Sequence, residues 1–215
     1  MISKDFKAWA REMLSGKWTS AVIICLLADI ISWGVSLAEE FPTNSTVDWV
    51  AMAVSFVLSM LIGGVVSLGI AHYFTNLATR REAQIADLFA FFRYIGKAIW
   101  MSLVVSCYVF LWSLLFVIPG IIAMYRYAMV PYLIAEFPDL SVSEAMDESA
   151  RLMQGNKMRL FCLQFSFIGW IFLSVLLTFG IGLLWVTPYM QAADAAFYLE
   201  VTGRGGMRSQ PSAEL

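Results

Sequence analysis

One histidine, His72, and three scattered cysteines, Cys25, Cys107 and Cys162, are all the sequence offers a soft metal. No two of them stand at a ligand spacing, so the cysteines are expected to be small apolar residues rather than metal ligands or a disulfide. With a single histidine, catalysis by paired histidines is excluded. No glycine-rich phosphate loop, dinucleotide fingerprint, Gly-x-Ser-x-Gly or His-Glu-x-x-His is present. An enzyme is therefore not expected, and no catalytic, cofactor-binding or metal-binding residue is assigned. Charge is scarce too: 14% of residues are Asp, Glu, Lys or Arg, and the net charge is −2. The basic clusters are too small for nucleic acid and suit anionic lipid headgroups better.

What is present is apolar. Sixty per cent of the 215 residues are hydrophobic and the mean hydropathy is +0.74. A water-soluble domain of this length could not hide so much apolar surface, so the expected solvent is a bilayer. The fold class expected is all-α. Six spans are placed at Trp18–Ala38, Trp49–Phe74, Ala98–Ile118, Ile121–Glu136, Met158–Phe179 and Leu183–Val201, with Pro119-Gly120 breaking the third from the fourth. The first, at 21 residues, would be about 31 Å long as a helix, enough to cross a hydrocarbon core. Ser36-Leu37-Ala38 resembles a signal cleavage site, but the run is long for a signal peptide and carries Asp29.

Three short amphipathic stretches precede these runs in pairs. Ile2, Phe6, Trp9, Ala10, Met13 and Leu14 share one helical face; Ile85, Leu88, Phe89 and Phe92 share another. Ser141-x-x-Glu144 is a capping box that opens a third helix, with Val142, Ala145, Met146 and Met153 on its apolar face. Each ends near a Gly-Lys signal: Gly16-Lys17, Gly96-Lys97 and Gly155-Asn156-Lys157. The chain thus reads as three repeats, at about 1–78, 79–138 and 139–202 within one membrane domain. Each repeat is a cytoplasmic interfacial helix followed by a helical hairpin, and a mobile tail follows at 203–215.

Charge placement orients this scheme. Thirteen of the fourteen Lys and Arg lie at the N-terminus, in 80–97, in 151–159 or in the tail, whereas 39–48, Pro119-Gly120 and Gly180–Gly182 hold none. Positive charge marks the cytoplasmic side, so six spans put both termini inside.

Polar groups at membrane depth are the candidates for chemistry, because a charge there costs about 2.5–3.5 kcal/mol on insertion scales and needs a partner or water. Asp29 in the first span, Arg126 in the fourth and Asp194 in the sixth form the candidate intramembrane polar site, with Asp29 and Arg126 expected to pair. Pro131 and Pro188 are expected to interrupt the fourth and sixth spans. Ser55, Ser59, Gly63, Ser67 and Ala71 recur every four residues in the second span, a stripe suited to close helix packing.

Several local motifs converge on one family. Leu68-Gly69 with Tyr73-Phe74, Asp87-Leu88-Phe89, Ile118-Pro119-Gly120-Ile121-Ile122, Tyr127-Ala128-Met129-Val130-Pro131-Tyr132 and Met153-Gln154-Gly155-Asn156-Lys157 resemble the bacterial integral-membrane family catalogued as domain of unknown function 975. The resemblance covers nearly all of the chain except the tail and is most specific over residues 111–190. It departs at Arg80-Arg81-Glu82, where the family pattern is expected to read Arg-Gly-Glu. It implies a protein of the bacterial cytoplasmic (inner) membrane and supplies no activity or site residues. The function expected is a non-enzymatic scaffold or accessory component, without cofactor. Its expected partners are membrane lipids and another membrane protein or a second copy of itself. The alternative is a small transporter or channel using a midplane site around Asp29 and Arg126.

Overall fold

The computed structural model describes residues 3–37 and 47–204, with side chains throughout except those of 33–58, 60–61, 89–90 and 115. Among the described residues the chain forms nine α-helices and one 3-10 helix, and no strand. They are α1 (Ser3–Leu14), α2 (Trp18–Leu37), α3 (Val47–Ala78), the 3-10 helix η1 (Ile85–Tyr94), α4 (Ile95–Leu115), α5 (Val117–Arg126), α6 (Val130–Glu136), α7 (Val142–Leu152), α8 (Lys157–Thr178) and α9 (Leu183–Val201). The expected loop at 39–48 falls largely outside the described residues, as do the side chain of Ser55 and residues 205–215.

Among the described residues three segments are long and apolar enough to cross a membrane: Ile85–Leu114, Val117–Glu136 and Lys157–Thr178. The pair Ser3–Leu14 and Trp18–Ser32, bent by 102°, makes a fourth if taken as one broken span.

The turns that open α2 and α8 are equivalent. Gly16 and Gly155 both take left-handed backbone, with φ of 78° and 77°, which only glycine adopts without steric cost. The hydrogen bonds around them match one for one. Ser15 N–H donates to Glu12 as Gln154 N–H does to Arg151; Lys17 N–H donates to Leu14 as Asn156 N–H does to Met153. The middle copy differs: Gly96 lies inside the first turn of α4, and the change of direction comes earlier, in η1.

η1 also corrects the expected face. With three residues per turn, Leu88 and Phe91 come to one side and are buried, while Ile85 and Phe92 are exposed. Two further boundaries move. The break after α4 falls at Phe116, in extended backbone, and Pro119-Gly120 sits within α5. There Ser113 of α4 comes so close that a Cβ on Gly120 would meet the Ser113 Cα at 2.9 Å. The expected fourth span is two helices, α5 and α6, separated at Tyr127–Met129, and Pro131 sits in the first turn of α6, where no amide donor is required. Pro188 does not interrupt α9, which runs through it.

The first amphipathic helix does not present its apolar face to lipid. Phe6, Trp9, Ala10 and Leu14 are buried in the bundle, where α1 packs on α8 and α9 and Phe6 meets Phe197 with ring centroids 5.4 Å apart. The capping box of α7 forms as expected: Ser141 Oγ accepts from Glu144 N–H at 3.3 Å, and Glu144 accepts from Ser141 N–H at 2.9 Å. Its expected apolar residues are all buried, together with Ser149.

The centre of the fold is α9. Ala192, Ala193, Ala195 and Ala196 have no exposed surface, and these small side chains let α1, α2, α3 and α8 gather round one helix. The expected tail begins as an anchored segment, because Arg204 binds the carboxylate of Glu136 with both terminal nitrogens.

Candidate functional site

From Val186 onward α9 is largely enclosed by protein, a setting that can hold polar side chains lipid would reject, and it carries Gln191 and Asp194 there. Asp194 faces α8, where the Gln164 amide donates to its Oδ2 at 3.3 Å. The Gln164 carbonyl oxygen in turn accepts from the Tyr125 hydroxyl at 3.0 Å. A relay of three polar groups thus links α5, α8 and α9 through an apolar interior.

On its other side Asp194 borders a cavity of about 350 Å³ walled by α2, α3, α6 and α9. Ser32, Ser67 and Gln191 add polar atoms to the wall; Val66, Ile70 and Pro131 make it apolar elsewhere. The small-residue stripe of α3 has its place here. Gly63, Ser67 and Ala71 line the cavity, and a Cβ on Gly63 would meet nothing within 4 Å. Ser59 is exposed. Close packing of α3 uses two other glycines. A Cβ on Gly64 would lie 2.6 Å from the Ala98 carbonyl oxygen, and one on Gly69 would lie 2.8 Å from the Leu88 Cα.

The three candidate polar residues are not brought together. Among the described residues no ion pair or hydrogen bond joins Asp29 to Arg126. Asp29 is exposed on α2, one turn before the cavity-lining Ser32. Arg126 ends α5 with its side chain exposed and its guanidinium 5.7 Å from the Tyr127 ring centre. It is the Arg126 carbonyl that is held, by the hydroxyl of Ser149 at 2.9 Å. Of the three, Asp194 alone lines the cavity.

Sequence reasoning missed Gln164, Tyr125 and Tyr132 as neighbours of Asp194. Only the presence of a Gln within an otherwise apolar run, eight residues into α8, could have signalled the first. His72 packs edge-on against Phe91, ring centroids 5.4 Å apart. Cys25 is buried, and Cys107 and Cys162 are exposed on the outside of the bundle. Among the described residues no group of three His, Cys, Asp or Glu side chains could hold a metal ion.

Charged contacts gather where the helix ends meet. Arg80 at the end of α3 pairs with Glu12 of α1 at 3.3 Å, and Arg159 of α8 pairs with Glu200 of α9 at 2.7 Å. Lys97 of α4 donates to the carbonyl of Pro138, just past α6. A broad cleft of about 850 Å³ opens between α6, α7 and the end of α9, with Glu144, Glu148, Arg151 and Arg204 on its walls.

Comparison with curated proteins found no match, and comparison with solved structures found none. A family model does match, over residues 1–124 and 114–205. The chain therefore belongs to the family described as protein of unknown function, DUF975.

Proposed function

We propose that this chain is a non-enzymatic, multi-pass protein of the bacterial cytoplasmic membrane, an accessory or scaffold component that binds lipids and a membrane partner. A second copy of itself is one such partner. Six crossings account for its runs: α2, α3, α4, α5 with α6, α8 and α9, arranged as three hairpins with both termini in the cytoplasm. The observation that carries the reading is the bundle's exterior. Leu114, Phe116, Val117, Ile118, Phe172 and Leu176 are 66–73% exposed, a belt that water would not tolerate and acyl chains would cover. The ion pairs fit the same orientation, since Arg80 with Glu12 and Arg159 with Glu200 join segments that six crossings place on the cytoplasmic side.

Extraction tests this reading. The protein should resist alkaline carbonate and come out of the membrane only with detergent. Native mass spectrometry after mild solubilisation should then find retained lipid or a partner chain, and a lipid-free monomer would contradict the proposed role. A small transporter or channel is the second reading. The cavity beside Asp194 favours it; Asp29 and Arg126, with no contact between them, do not.

A further inference from the structure

The cavity beside Asp194 is built for a ligand of one kind. Among the described residues its only charged wall residue is a carboxylate, and no Lys, Arg or His forms an ion pair with it. Gln164 orients that carboxylate with a single amide hydrogen bond and brings no positive charge to it. A carboxyl in an apolar bundle is met either by a proton or by a cation, and among the described residues no side chain supplies the cation.

The size and lining decide which cation. A bare metal ion needs several oxygens gathered about 2–2.6 Å from it, whereas a space of about 350 Å³ falls in the range that holds a small organic molecule. The polar atoms of Ser32, Ser67 and Gln191 accompany Asp194, and Val66, Ile70 and Pro131 offer an apolar surface for carbon atoms. Gly63 lines the cavity at an exposed position where a Cβ would meet nothing within 4 Å, so the α3 wall is open at this rim. We propose that this cavity binds the ammonium group of a small organic amine, with Asp194 as its counter-ion and the α3–α6 wall against its carbon chain. The ammonium group can come from a free amine or from the ethanolamine headgroup of a membrane lipid. Binding at this site is independent of whether the ligand is then carried across the bilayer, and of which partner the exterior meets.

The test uses the full chain in detergent at mildly alkaline pH, with thermal stability read against n-butylamine, ethanolamine, tetramethylammonium chloride and sodium chloride at matched ionic strength. The two primary amines should raise the melting temperature saturably in the millimolar range. Asp194→Asn, which keeps the shape and the Gln164 contact, should weaken that effect at least tenfold, and Gly63→Leu should weaken it by crowding the rim. Asp29→Asn should leave it unchanged and so serves as the control for a charge elsewhere on the bundle. In nanodiscs, phosphatidylethanolamine should suppress free-amine binding relative to phosphatidylglycerol if the headgroup is the occupant, and the two lipids should behave alike if a free amine is. The proposal is overturned if sodium chloride gives the same shift as the amines, if Asp194→Asn binds as the parent does, or if no amine shifts the parent in either medium. None of these results would alter carbonate resistance or lipid retention, so the membrane role is judged separately.

Discussion

The hydroxyl of Ser149 on α7 donates to the carbonyl of Arg126 at 2.9 Å and accepts the amide of Met129 at 3.3 Å. One side chain thereby satisfies two backbone groups at the turn where α5 gives way to α6. The amphipathic helix α7 is fastened over the break in the apolar segment Val117–Glu136, where Ser149 holds the Met129 amide and the Arg126 carbonyl. Ser149→Ala removes the hydroxyl and leaves a buried donor and acceptor without it, at a cost of about 1–3 kcal/mol. Thermal unfolding in detergent should show a clear loss, and Ser149→Thr, which keeps the hydroxyl, should recover part of it.

Glycine substitutions along α3 should divide by neighbour rather than by their place in the four-residue stripe. Gly63→Ala meets open space and gains helix propensity, so it should be neutral or mildly stabilising. Gly64→Ala and Gly69→Ala would press into the backbone of Ala98 and Leu88, and each should cost about 1–3 kcal/mol. Unfolding temperatures of the three variants side by side check this ordering.

Arg80 is a non-glycine residue in left-handed backbone, φ 55°, at the C-terminus of α3. Arg81 N–H reaches back to the Asn76 carbonyl at 2.9 Å and Arg80 N–H to Leu77 at 3.3 Å, a helix-ending pattern that favours glycine at the left-handed position. Arg80→Gly should stabilise the protein by about 1 kcal/mol, because the steric cost it removes exceeds what an exposed ion pair with Glu12 contributes. A lower melting temperature for this variant would show that the pair with Glu12 is worth more than the strain.

The α7 cap is sensitive to acid. Hydrogen bonds from the Ser141 hydroxyl and then its amide hold the Glu144 carboxyl below its ordinary range. A depressed carboxylate contributes stability above its unfolded pKa and loses it as pH falls through the lower, folded value. Amide exchange in the first turn of α7 should therefore rise relative to the rest of the helix below the ordinary carboxylate range and stay flat above it. Ser141→Ala should fray the same turn at neutral pH, by about 1 kcal/mol. It should also flatten the acid dependence.

Local signals made much of this fold legible in the sequence. The Ser141-x-x-Glu144 box, the left-handed glycines at 16 and 155 and the bounds of α8 and α9 all depend on near neighbours in the chain, and all appear where their residues predict. Hydropathy, by contrast, cannot distinguish a face turned to lipid from one turned to protein, so the apolar face of α1 and the burial of α9 had to come from the structure. The helix breaks at Phe116 and Tyr127–Met129 were signalled by Pro119-Gly120 and Pro131, but each break falls a few residues before its proline, which sits in the first turn of the next helix. Arg126 stays midway along the apolar segment Val117–Glu136, but its side chain points outward over the Tyr127 ring, so the expected pair with Asp29 does not form. The setting of Asp194 depends on Gln164, thirty residues away, and only packing reveals it.

The central claim is that lipid surrounds this bundle and that its basic helix ends share the cytoplasmic side. Paired reporters test it most directly: a fluorescent protein, active only inside the cell, and alkaline phosphatase, active only outside. Each is fused after Leu215 and, in separate chains, inserted within 39–48 and after Gly180. The expected result is fluorescence without phosphatase activity at Leu215 and the reverse at both inner sites. Phosphatase activity after Leu215, or fluorescence at either inner site, would contradict six crossings with both ends inside.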